Sequence, residues 1–396
     1  MNREEQWLLP DGVEELLPQQ AAAVEALRRQ ILDHYGRCGY QLVFPPLIEF
    51  LESLLNGAGR DLENDTVKLT DQMSGRLMGV RPDITPQVAR MDAHSLRREG
   101  PARLCYCSTS MRTRSKQPGG SRLPYQIGVE LFGHAGFESD AEVVALLLDT
   151  LAIGRVENVT LELGHVGLFG ALMTAAKLAA GDVDVLSDIY QRKASTELDA
   201  FLQQQTLPES LKTLLKRLPA LCGDAALLRQ ERQHFAGIAG AERAFDELEQ
   251  LVGWLHDAYP QVNVYLDLAE LRGYHYHTGC VFAAYLCGAS EPVAKGGRYD
   301  HIGEVFGRAR AATGFSADLK ALAALYAPAR QDGILAEGDI RDPAFRQAVT
   351  QLRNQGERVV LVLPDTLTDA GELQCNRRLV LDNQGRPQIT FITDSE

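Results

Sequence analysis

Five short stretches set polar side chains on or beside expected core strands, where an unpaired charge is costly unless a partner or ligand meets it. Arg81-Pro82-Asp83-Ile84-Thr85-Pro86 places a carboxylate and a hydroxyl two residues apart, on one side of an extended segment. That pair suits an ammonium group; equally, either residue can cap a helix running from Gln87 onward. Gln126 and Glu130 lie four apart on a strand and share a face, opposite Ile127, Val129 and Leu131. If both faces are covered, Glu130 is a buried carboxylate in want of a cation; otherwise it faces solvent. Arg112, Arg114, Lys116 and Arg122 crowd one hairpin, either as forks for phosphate or carboxylate oxygens or as a solvated basic loop. Leu271-Arg272-Gly273-Tyr274-His275-Tyr276-His277-Thr278-Gly279 has the density of a pocket lining, and two histidines without a third ligand make a weak metal signal. Lys295-Gly296-Gly297-Arg298-Tyr299-Asp300 permits a backbone to approach a ligand closely, or is simply a turn.

The elements that must position these residues read as an antiparallel core with helices. Val24, Leu27, Ile31 and Leu32 predict a helix over Ala21 to Tyr35, followed by a strand from Tyr40 to Phe44 that Pro45 and Pro46 stop. Arg103 to Arg112 and Tyr125 to Gly133 read as a hairpin with a long loop, and Asp140 to Ala152 as a helix. Leucines at helical spacing dominate from Gly170 to about Tyr259, an expected helical insertion at about 170–260. Strands are expected again at Val262 to Asp267 and Cys280 to Tyr285, and the core resumes from Gly296 to Leu325. Pro328 opens a small α/β module with a helix near Phe345 to Leu352 and a strand at Val359 to Leu363. The expected division is thus 1–326 and 327–396.

Composition narrows the chemistry. The 396 residues carry 53 acidic and 40 basic side chains, a net charge of −13, which opposes non-specific capture of nucleic acid or anionic lipid. No apolar run approaches the roughly 20 residues of a membrane helix, and the polar start, with Glu4 and Glu5, does not read as a secretory signal. Seven cysteines without a Cys-x-x-Cys pair indicate neither a disulfide framework nor a zinc ribbon, so a reducing cytoplasm is expected. Cys105 and Cys107 read as small buried apolar residues. There is no Gly-Lys dipeptide, hence no P-loop, and no His-Glu-x-x-His or Gly-x-Ser-x-Gly motif. No metal and no cofactor are expected.

Taken in order, these segments resemble histidyl-tRNA synthetase, a class II synthetase, from about Asp11 to Leu325. Tyr40 to Pro46 is similar to the end of motif 1, and Arg103 to Gly133 to motif 2. Leu271 to Phe282 and Gly296 to Asp300 resemble the two histidine-specific signatures, and Gly314 to Leu319 the start of motif 3. The resemblance implies an α+β fold: a class II aminoacyl-tRNA synthetase-like antiparallel sheet flanked by helices, self-associating through that core. It also implies that Asp83, Thr85 and Gln126 hold the α-amino group of histidine, and that Glu130 and His277, with Tyr276, surround the imidazole. Arg272 would hold the carboxylate. Arg112 would face the α-phosphate of ATP and, with Arg122, mark a vestigial nucleotide site.

The departures favour a non-catalytic relative. Motif 3 of the family ends Gly-Leu-Glu-Arg, whereas Asp318-Leu319-Lys320-Ala321 lacks the arginine. Arg114 replaces a glutamate of the motif 2 loop, Asp83 stands for a glutamate, and Tyr274 to His277 depart from Leu-Asp-Tyr-Tyr. Removing a positioned arginine deprives phosphoryl transfer of charge stabilisation. The short, acidic tail does not match an anticodon-binding domain, so tRNA binding is not expected. This pattern resembles the ATP phosphoribosyltransferase regulatory subunit family most closely. That resemblance implies a partner, a short-form catalytic chain, in a hetero-octamer, feedback by histidine, and no catalytic residue here. The alternatives are a stand-alone histidine-sensing or tRNA-binding paralogue and a residual synthetase.

Overall fold

A computed structural model describes residues 7–56, 60–115, 119–271, 273–274, 276–327 and 332–392, without the side chains of residues 60 and 61. The chain divides into two compact units, Met1–Ala327 and Pro328–Glu396.

The first unit is built on nine strands: β1 (Gln41–Leu42), β2 (Ala102–Thr109), β3 (Tyr125–Phe132), β4 (Thr160–His165), β5 (Cys222–Gly223), β6 (Asn263–Asp267), β7 (Cys280–Tyr285), β8 (Ala294–Arg298) and β9 (Ala312–Asp318). Their order across the sheet is β1-β2-β3-β9-β8-β7-β4-β6-β5. The six central strands, β2 to β4 in that order, pair antiparallel; β1 joins β2 and β6 joins β4 in parallel. Alternation gives the sheet two unlike faces. One carries Cys105, Cys107, Ile127, Val129, Leu131, Phe315 and Phe282 into the main core, where helices Pro18–Arg37 and Phe137–Ile153 contribute Leu27, Ile31, Val143 and Leu147. The other carries Tyr106, Gly128, Glu130, Gly314 and Gly297, and is the face on which a ligand can lie.

The expected α+β architecture is therefore present, with local differences that have physical causes. The strand expected over Tyr40 to Phe44 shortens to two residues, because Pro45 and Pro46 offer no N–H and their carbonyls are taken by Arg81 instead. The first hairpin strand ends at Thr109 rather than Arg112, since beyond it Met111 N–H donates to the Arg81 carbonyl and Arg112 bridges Thr66. Helices Val166–Ala176 to Ala241–Ala258 fill the leucine-rich stretch, interrupted by the short edge strand β5. A three-stranded sheet, Ile48–Phe50, Leu77–Val80 and Val67–Thr70, was not anticipated from the sequence; its strands are too short for a clear alternation.

In the second unit Gly333–Ala336 lies between Val359–Leu361 and Cys375–Leu381, both parallel to it, and Pro387–Phe391 closes the edge antiparallel. Helix Pro343–Asn354 starts where Asp342 accepts the Ala344 N–H at 2.7 Å and seats Phe345, Ala348 and Val349 on this sheet.

Arg81 joins several of these parts. Its guanidinium, 1% exposed, donates to the carbonyls of Pro45 (2.7 Å) and Thr109 (2.9 Å), to Gln87 Oε1 and to Ser108 Oγ. The segment after β1, helix Thr85–Arg90 and the hairpin are thereby fixed around one buried cation. An Arg81→Leu substitution leaves several carbonyls unpaired and should cost about 3 kcal/mol, read as an earlier urea unfolding midpoint of the first unit.

Candidate functional site

Glu130 sits in the middle of β3, opposite Leu104 on β2 and Gly314 on β9. Only 1% of it is exposed. Tyr106 hydroxyl donates to its Oε1 at 3.1 Å, and Tyr299 hydroxyl donates to Oε2. Burial pushes the carboxyl from its ordinary 4.5 up to about 8, although the hydroxyls of Tyr299, Thr85 and Tyr106 pull the other way. Space for the carboxylate comes from missing side chains. A Cβ on Gly314 would run into Glu130 and lie 2.6 Å from the Val129 carbonyl; one on Gly128 would lie 2.7 Å from Tyr106 Oη.

Other expected residues gather around this carboxyl. Asp83 Oδ1 accepts the Thr85 N–H at 3.0 Å, so it shapes the entry to helix Thr85–Arg90, while its charge still acts on Glu130 and Tyr276. Thr85 Oγ1 lies 3.3 Å from Tyr106 Oη and so joins the same hydroxyl network. Tyr276 stacks on Tyr299 with ring centroids 4.9 Å apart. His277 Nδ1 is 3.2 Å from the Arg298 carbonyl, which can only accept, so Nδ1 carries the proton and Nε2 is left as an acceptor. Burial lowers the His277 pKa to about 4, which keeps the ring neutral. It lies over Gly297, where a Cβ would be 2.9 Å from Nδ1. Gly297 pairs with Gly314, so the imidazole and the Glu130 carboxyl stand over neighbouring glycines of one floor. Among the described residues, the buried atoms Gln126 Oε1, on the same strand face as Glu130, and Tyr276 Oη have no hydrogen-bond partner. Arg272, His275 and Lys116 lie outside the described residues.

Gln126 also borders a cleft of about 480 Å³ that Arg112, Ser121, Lys295, Asp318, Lys320 and Ala321 help to line. Arg112 thus lines this cleft. Arg122 is placed differently: its Nε donates to the Arg112 carbonyl at 3.0 Å and its Nη1 to that of Asp11 at 3.3 Å, so the backbone takes up its fork. Among the described residues two clusters have the composition of a metal site, His165 with Glu247 and Cys280, and Glu162 with Asp267 and Glu270. In the first, His165 accepts the Gly167 N–H at Nδ1 and meets Glu247 at Nε2, 2.8 Å away, so both ring nitrogens are engaged by the protein. Cys105 and Cys107 are buried, and burial raises both thiols to about 12.

Tyr106 and Tyr299, the direct partners of Glu130, were not singled out as binding residues by the sequence. Hairpin register carried the signal for Tyr106, because pairing Gly128 with it puts its ring on the Glu130 face. Tyr299 stood inside a motif noted for its glycines alone.

This geometry, with a buried carboxyl on a six-strand antiparallel core beside a polar cleft, is that of the class II histidyl-tRNA synthetase fold. Residues 12–322 match the family model for histidyl-tRNA synthetase, and residues 330–386 match that of the ATP phosphoribosyltransferase subunit HisZ C-terminal domain. The chain is 51% identical to an ATP phosphoribosyltransferase regulatory subunit of Chromohalobacter salexigens, over 96% of this chain and 97% of that one, and 50% identical to one of Thioalkalivibrio sulfidiphilus, over 98% and 100%. A solved structure from Bacillus halodurans, described as an ATP phosphoribosyltransferase regulatory subunit/histidyl-tRNA synthetase, is 28% identical with a TM-score of 0.81, covering 93% of this chain and 95% of that one. A histidyl-tRNA synthetase from Nostoc sp. PCC 7120 shares the fold at 17% identity, TM-score 0.77 and 97% coverage of each chain. The chain belongs to the ATP phosphoribosyltransferase regulatory subunit family, as the sequence resemblance implied.

The titration of Glu130 makes a signed prediction. Between pH 4.5 and about 8 the folded chain holds a proton that the unfolded chain has lost, so this group's contribution to stability falls as pH rises through that window. Urea unfolding of wild type and Glu130→Gln should diverge in favour of the variant by ~1 kcal/mol per pH unit. A constant difference from pH 5 to 8 would mean that Glu130 titrates normally.

Proposed function

We propose that this chain is the regulatory, non-catalytic subunit of an ATP phosphoribosyltransferase, acting in the first step of histidine biosynthesis and responding to histidine in the pocket around Glu130. The observation that carries the histidine assignment is a pair of buried atoms without a hydrogen-bond partner among the described residues, Gln126 Oε1 on the Glu130 face of β3 and Tyr276 Oη on the ring stacked against Tyr299, with a carboxyl that is itself almost wholly buried. An acceptor without a donor at Gln126 suits the α-ammonium group, to which Asp83 and Thr85 are also assigned. Glu130 and the bare Nε2 of His277 offer complementary sites to the two ring nitrogens of an imidazole, with Tyr276 alongside. Arg272 is assigned the carboxylate.

Chemistry on ATP is carried by a separate short catalytic chain. Arg112 and Arg122 are remnants of a nucleotide site: Ala321 lines the cleft where the synthetase family carries an arginine, and Arg122 is held by backbone carbonyls. The exposed apolar side chains Leu42, Phe44, Leu47 and Ile48, beside edge strand β1, support self-association through this core, with the catalytic chain completing a hetero-octamer. Among the described residues no helix is long and apolar enough to cross a membrane. The assembly works in the cytoplasm without tRNA.

Regulation follows from linkage. Histidine that binds one state of the complex more tightly shifts the population toward it, by no more than the difference in affinity. Mixing this chain with the short catalytic chain should raise the phosphoribosyltransferase rate, and histidine should lower it. In the Glu130→Gln complex the histidine concentration for half-inhibition should rise up to about tenfold, the scale of one lost hydrogen bond. An unchanged response would remove this pocket as the sensor, and no change of rate on mixing would remove the regulatory assignment.

A further inference from the structure

The cleft beside Gln126 is bordered by cations, Arg112, Lys295 and Lys320, with Arg122 on the adjoining turn. Two of these four are engaged by one short piece of chain, residues 11–14. Glu14 Oε1 lies 2.5 Å from Lys320 Nζ, which also donates to Ser121 Oγ at 3.1 Å. Gly12 carbonyl accepts the Arg122 N–H at 2.7 Å, and Asp11 carbonyl accepts from its guanidinium. Gly12 adopts φ +72°, and a Cβ there would lie 2.8 Å from Arg122 Cγ, so the close approach needs glycine at this point. Lys320 holds the Glu14 carboxyl below its ordinary range.

We propose that residues 11–14 are an internal latch that closes this cleft to polyphosphate: Glu14 supplies the anion for Lys320, while the Asp11 and Gly12 carbonyls draw Arg122 aside. A polyphosphate chain would carry several negative charges to the same wall, where it meets Arg112 and Lys295 as well, and it competes with one carboxylate for Lys320. The Glu14 side chain is half-exposed, so its ion pair is weak enough to be displaced. This goes beyond the histidine reading and does not depend on it.

The test is calorimetric titration of the full chain at low salt with sodium tripolyphosphate and, separately, with ATP. Glu14→Gln should tighten both by about fivefold, the scale of one exposed ion pair, and leave histidine affinity unchanged. Adding Lys320→Gln should abolish the gain. Equal affinities in wild type and Glu14→Gln would overturn the latch, as would a gain that persists without Lys320. A gain confined to ATP would overturn the assignment to the phosphate chain.

Discussion

A carboxyl group closed off from water governs the centre of this molecule. Ionised and unpaired, Glu130 would cost several kcal/mol, so its surroundings are arranged around hydroxyl donors and missing side chains. Tyr106 reaches it from the neighbouring strand β2 and Tyr299 from just beyond the end of β8, Thr85 joins through Tyr106, and Gly128 and Gly314 leave the volume that these groups fill. A side chain at Gly128 would press on Tyr106, and one at Gly314 on Glu130 itself.

The surrounding loops are held by further buried polar groups rather than by hydrophobic contact alone. Arg298, 3% exposed, reaches Asp140 and Ser139 with its side chain, while its carbonyl fixes the His277 tautomer. Asp92 and Arg310 form a two-pronged pair at 2.9 and 3.0 Å, with Arg310 also bonded to the Gly100 carbonyl. Such pairs are strongly destabilising to break on one side, which gives the binding face a defined geometry at segments that are not part of the sheet. The face can therefore be rigid although much of it is loop.

Elements with strong periodicity were legible in the sequence. Helix Pro18–Arg37 buries Val24, Leu27 and Ile31 as its spacing required, and the β2-β3 hairpin follows from alternation. β8 was not assigned, because Ala-Lys-Gly-Gly-Arg has no β-forming residue; its place is set by register with β7 and β9. Glu130 and Gln126 stood out because a polar residue alternates there with aliphatic ones. Arg122 could not be read in the same way, since its partners are backbone carbonyls more than a hundred residues earlier and ten residues earlier in the chain. No local pattern encodes such contacts.

The synthetase-like fold carries two polar sites, the pocket around Glu130 and the cleft that Ala321 and Lys320 help to line. The histidine proposal rests on a pocket built around a carboxyl that burial holds protonated. Carbon-13 NMR of the chain labelled at glutamate carboxyls, with Glu130→Gln to identify the resonance, measures this directly. The account predicts a Glu130 titration midpoint near 8 and a shift of that resonance on adding histidine. A midpoint in the ordinary carboxylate range, with no response to histidine, would contradict it.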